Sequence, residues 1–64
     1  MAEFSAIIRL DSAAWRHPHD PDSLDFDTLA EALREIAARI EETETGGRVK
    51  DMNGNACGTW ELRA

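Results

Sequence analysis

The sequence predicts a small α+β domain of plan β-α-β-β, and three observations carry that prediction. Residues 2–11 alternate apolar with polar side chains, and residues 26–44 repeat apolar ones at three- and four-residue steps. Residues 48–62 set Asn53-Gly54 between two strand-like runs. These are the signatures of a half-buried strand, a one-sided helix and a β-hairpin. A chain of 64 residues has room for one domain, residues 1–64. That length is near the lower limit for folding without a metal or disulfides.

In residues 2–11, Phe4, Ala6, Ile8 and Leu10 alternate with Glu3, Ser5 and Arg9, and Ile7 breaks the polar face. One exposed isoleucine is ordinary. Residues 12–24 read as a long connection, with Asp20-Pro21-Asp22-Ser23 as turn chemistry and Trp15 folding back over one end of the core. In residues 26–44 the stripe Phe26, Leu29, Leu33, Ile36 and Ile40, filled in by Ala30 and Ala37, predicts one amphipathic helix. Asp25 is its expected N-cap, and Asp27 suits the positive end of the helix dipole. Glu35 and Arg39 form a favourable i,i+4 pair. Gly46-Gly47 is the expected stop, because glycine accepts the left-handed conformation beyond a helix end.

In residues 48–62 a type I′ turn at Asn53-Gly54 needs φ > 0 at both residues, which Asn-Gly supplies. An even-numbered loop sets Val49 opposite Gly58, on one face with Ala56, Gly58, Trp60 and Leu62. A three-residue loop with Gly54 as a bulge would move Val49 to the side of Cys57, Thr59 and Glu61, so the even loop is preferred. The strand holding Trp60 carries the most core residues, and Arg48 and Lys50 suit an edge. The expectation is a three-stranded antiparallel sheet in the order 2-3-1 with the helix on one face. A parallel pairing of the first two strands by a right-handed crossover is the alternative.

The net charge is −6 and unevenly placed. Residues 1–10 are neutral, residues 11–44 carry ten acids against Arg16, Arg34 and Arg39, and residues 45–64 are net +1. Direct nucleic-acid binding is disfavoured, since it needs cations to release counterions from phosphate. Cys57 is the single cysteine, so no internal disulfide forms and a reducing cytoplasm is the expected compartment. No apolar run is long enough to span a bilayer, and residues 1–10 lack the features of a signal peptide.

Three groups of residues invite a chemical reading. His17-Pro18-His19-Asp20, with Asp22 and Cys57, holds metal-ligand types, but the spacing matches no closed site and the proline restricts convergence. A solvated polar loop is the preferred reading, with no metal and no cofactor. Cys57 is expected on the sheet face away from the helix, near Lys50, which could lower its pKa. The sequence offers it no oriented base, so no catalytic residue is assigned and the chain is read as no enzyme. The third group is acidic. Asp27, Glu31, Glu35 and Glu42 form an outward helix stripe, continued by Asp20, Asp22 and Asp25 before it and Glu41 and Glu44 after it. Four helical residues rise about 6 Å, the same order as phosphate spacing along a nucleic-acid strand. Such a row could occupy a basic groove built for nucleic acid, or simply keep a small protein soluble.

Leu33-Arg34-Glu35-Ile36-Ala37, followed by the run from Gly46 to Trp60, resembles a pattern in small phage and mobile-element proteins. In size, acidity and plan the chain resembles small anti-CRISPR proteins, including type I-C inhibitors that mimic DNA at an effector's DNA-binding subunit. The resemblance implies a non-enzymatic inhibitor in the host bacterial cytoplasm that binds a basic nucleic-acid groove through the nine acids above. A monomer is the expected state. The alternative is a structural or assembly protein that self-associates through a sheet edge or its open face, as a homodimer for instance.

Overall fold

A computed structural model describes residues 1–64. In chain order they form β1 (Glu3–Ile8), a 3₁₀ turn (Ala13–Trp15), β2 (Arg16–His17), β3 (Asp20–Leu24), α1 (Phe26–Glu41), β4 (Gly46–Lys50) and β5 (Ala56–Arg63). The main sheet runs β1-β5-β4. β5 is central and antiparallel to both neighbours, with Trp60 opposite Ala6 on one side and Gly47 on the other. The chain is therefore α+β, with one helix and a small antiparallel sheet. β2 and β3 make a second, two-stranded antiparallel sheet. The β-α-β-β plan and its 2-3-1 numbering omit these two strands, which lie inside the stretch expected to be a loop. Their pairing is short and irregular, shifting register between Arg16 and His17. A strand containing Pro21 gives no period-2 signal to read.

Several boundaries differ from expectation. The first strand is Glu3–Ile8 rather than 2–11, although the Arg9 amide still donates to Cys57 O at 2.8 Å. The helix ends at Glu41, not residue 44, and the hairpin strands span Gly46 to Arg63 rather than 48–62. Asp25 caps the helix as expected, its Oδ1 accepting from the Asp27 and Thr28 amides at 3.1 and 3.2 Å. The stop is different. Thr43 takes the left-handed conformation, φ 67°, and its amide donates to Ile40 O while the Glu44 amide reaches back to Arg39 O. This is the paired bonding of a Schellman cap, with threonine where glycine is usual. Gly46 and Gly47 belong instead to β4. A Cβ on Gly47 would lie 3.1 Å from Trp60 Nε1, so its glycine makes room for the indole.

The hairpin reaches the expected pairing by another route. Val49 faces Gly58, but Asn53 has no positive φ, and Gly54 alone does, at 82°. The turn is closed by the Gly54 amide donating to Asp51 O, with Asp51 N–H donating to Asn55 O, both at 3.0 Å. That is a loop of Met52, Asn53 and Gly54, not a type I′ turn. By itself it would set Val49 opposite Cys57. A bulge between Lys50↔Ala56 and Val49↔Gly58 leaves Cys57 unpaired and restores the parity that keeps Val49 and Trp60 on one face.

Ile36, Val49 and Trp60 form the core, with Ile8, Ala32, Ile40 and Cys57 packed around them. Trp15 is the most buried side chain, 2 % exposed, and shares a crevice with Thr28, Ala32 and Met52. The helix is rolled relative to the expected stripe. Ala32, Leu29 and Ile40 lie within about 40° of Ile36 on a helical projection, whereas Leu33 and Phe26 lie about 60–80° away. Phe26 is 76 % and Leu33 49 % exposed, and Ala37 is exposed as well. The apolar stripe is wider than the surface available to cover it, because α1 packs chiefly against β4. The molecule measures 41 × 19 × 18 Å, with a radius of gyration of 12.8 Å. A compact domain of this length has about 10.7 Å. With this elongation only five residues are buried.

Candidate functional site

The acidic candidates separate into groups by the element that carries them. Asp27, Glu31 and Glu35 step by four along α1, and Glu42 is its C-cap. At 3.6 residues per turn these four fall within a sector about 80° wide, turned away from Ile36. All four are exposed. Glu41 lies about 40° beyond Asp27 on the same outward side, past Arg34, so it flanks the stripe. Asp20 and Asp22 sit on β3, Asp25 at the N-cap and Glu44 beyond the helix end.

Their carboxylates are not equally free. Asp20 accepts from the Asp22 amide at 3.2 Å and from Ser23 Oγ at 2.9 Å. Asp25 is committed to its cap, and the hydrogen bonds from Thr28 hold its carboxyl below the ordinary value. Arg39 lies 3.4 Å from Glu35 and 3.7 Å from Glu44, drawing on both charges. Asp22, Asp27, Glu31, Glu41 and Glu42 accept no hydrogen bond and form no ion pair through their side chains. Asp27 and Glu31 are thus the acids of the stripe with undivided charge, and Glu42 extends it.

One feature was not evident from the sequence. A crevice of about 360 Å³ between α1 and β4 brings Arg39, Arg48 and Lys50 beside Glu35. The acidic stripe is therefore bordered by cations along its β4 side. Their separation in the chain concealed this, since only the packing of α1 on β4 brings them together.

Cys57 departs from its expected place. The bulge turns it to pack against the core, and its Sγ donates to Val49 O at 3.3 Å. Burial, and then the Asp51 charge, push the thiol above its ordinary value. The lowering that Lys50 could have supplied is not found. His17 and His19 flank the turn between β2 and β3, with rings 5.9 Å apart, and His17 Nδ1 accepts from the His19 amide. No group of three or more His, Cys, Asp or Glu side chains is placed to hold a metal ion. No helix is long and apolar enough to cross a membrane. No protein-family model, curated protein or solved structure matches this chain.

Proposed function

We propose that this chain is a non-enzymatic acidic inhibitor that imitates nucleic acid and blocks the DNA-binding surface of a host defence effector of the CRISPR type. The observation that carries the reading is the row Asp27, Glu31 and Glu35 on one face of α1, two of whose carboxylates have no partner in the molecule. A helix presents such a row rigidly, with about 6 Å of rise between successive charges. Glu42 lengthens the row to about 22 Å, enough to follow several phosphate positions of one strand. Asp20, Asp22, Asp25, Glu41 and Glu44 broaden the negative field around the row and contribute to steering rather than to register. The resemblance to small anti-CRISPR proteins supports the same partner class and a place in the host cytoplasm. Arg39, Arg48 and Lys50 border the contact surface along its β4 side.

Binding to such a partner weakens steeply as salt rises, because charges at the groove are screened over about 8 Å at physiological ionic strength. Titrating the partner at increasing salt tests this: a steep loss of affinity supports the reading, and salt-independent affinity contradicts it.

A further inference from the structure

The main sheet has two free edges, β1 and β4, and they differ in chemistry. β4 carries Arg48 and Lys50. Pairing it antiparallel with a copy of itself brings like charges together, which destabilises a ladder. β1 carries Glu3, and Arg9 follows it, so this edge holds one charge of each sign. Glu3 through Ile7 are all exposed, and β1 contains no proline, bulge or lysine to discourage pairing.

The direction of the β1 backbone groups follows from one bond. The Arg9 amide donates to Cys57 O. In an antiparallel ladder these groups alternate in direction, so Glu3, Ser5, Ile7 and Arg9 turn theirs to β5. Phe4, Ala6 and Ile8 present theirs outward, unpaired.

We propose that β1 pairs antiparallel with β1 of a second copy about a two-fold axis through Ala6, making a homodimer with one continuous sheet. In this register Ala6 faces the partner's Ala6 and Phe4 faces the partner's Ile8, exchanging about six backbone hydrogen bonds in all. On the open face Glu3 stands opposite the partner's Arg9, and by symmetry the ion pair occurs twice. Centring on Ile7 instead would set Glu3 against the partner's Asp11. Centring on Ser5 would leave Glu3 facing the partner's Ile7. Charge selects the Ala6 register.

The apolar surface fits the same arrangement. Phe4, 49 % exposed, and Leu62, 37 % exposed, are paired across β1 and β5 on the side of the sheet that holds Trp60. Glu35 and Arg39 share the crevice with β4, and the opposite flank of α1 leaves Phe26 and Leu33 exposed.

This inference is independent of the acidic-mimic reading. Salt screens both the repulsion between two chains of charge −6 and the two ion pairs, so the dimer lacks the steep loss with salt expected of binding to a basic groove. The test is sedimentation over a dilution series for the wild type, Ala6→Pro, Glu3→Arg, Arg9→Glu and the double reversal, with circular dichroism to check folding. Ala6→Pro removes an outward amide and leaves the β1–β5 ladder intact. The wild type is expected to dimerise and folded Ala6→Pro to be monomeric. Because Glu3 also faces Arg63 of its own chain, its reversal is read beside Arg9→Glu. Each should weaken the dimer by about tenfold or more, and the double reversal should restore it. A wild type that stays monomeric throughout, or a folded Ala6→Pro that dimerises like wild type, overturns the proposal. Should Ala6→Pro fail to fold, the reversals decide: unchanged dimerisation in both single variants also overturns it.

Discussion

Replacing Gly58 by alanine tests the architecture most severely. Gly58 lies in the central strand, opposite Ile8 on one side and Val49 on the other. A Cβ there would sit 2.1 Å from Ile7 O, 2.8 Å from Ile8 Cα and 3.0 Å from Ile7 C. All three atoms belong to the β1 backbone, so no rotamer change can relieve the overlap and β1 must move away from β5. Overpacking that forces side-chain and backbone shifts costs about 1–3 kcal/mol and occasionally more, and an overlap this severe against backbone belongs at the upper end. The expected loss is therefore about 3 kcal/mol or more. A domain of this size has about 3–10 kcal/mol in total. Gly54→Ala is the internal comparison: nothing lies within 4 Å of its Cβ, but φ is +82°, so only left-handed strain is added, about 1–2 kcal/mol. Urea unfolding followed by tryptophan fluorescence reads both, since Trp60 faces Ala6 across the disputed ladder. A Gly58→Ala midpoint equal to or above that of Gly54→Ala would refute the β1–β5 register.

Three other outcomes follow from the fold. Thr43→Gly should stabilise the protein by about 1 kcal/mol, seen as a raised denaturation midpoint, because glycine relieves a β-branched residue at φ 67°. Ile36→Ala should cost about 2–5 kcal/mol, whereas half-exposed Leu33→Ala should cost clearly less in the same titration; equal losses would contradict the roll of the helix. Asp25→Ala should lower the midpoint at neutral pH. The folded-state pKa of Asp25 is depressed, so its contribution is fully present above the ordinary carboxylate value of about 3.9 and fades as pH falls through the lower folded value. The difference between wild type and variant should shrink over that acidic range.

What could be read from the chain, and what could not, divides along local and non-local physics. The alternation around Phe4 to Ile8, the Asp25 cap and the pairing of Val49 with Gly58 are local signals, and the structure contains all three. The turn at Asp51–Asn55 was misread because two departures cancel: a loop one residue longer than Asn53-Gly54 alone, and a bulge at Cys57 that absorbs the extra residue. Periodicity reports a helix face but not its roll, so Phe26 and Leu33 were assigned to a core that holds Ala32 instead. The stop at Thr43 defeats a rule that seeks glycine, because nearby Gly46-Gly47 satisfied it by coincidence. The acidic stripe of α1 was visible in the spacing. Its cationic border was not, because Arg48 and Lys50 meet Glu35 only through tertiary packing.

In the proposed function the face of α1 occupies a nucleic-acid groove. This is tested most directly by competition at a DNA-binding effector, comparing the wild type with a variant carrying Asp27→Asn, Glu31→Gln and Glu35→Gln, both checked for folding by circular dichroism. Exposed charges contribute little to stability, so the variant should fold normally. Arg48→Ala and Lys50→Ala serve as controls on the bordering cations, with near-normal inhibition expected of both. The wild type should block the effector, added nucleic acid should displace it, and the folded triple variant should lose most of its inhibition. A folded triple variant that inhibits as well as wild type, or an effector that binds protein and nucleic acid together, would contradict it.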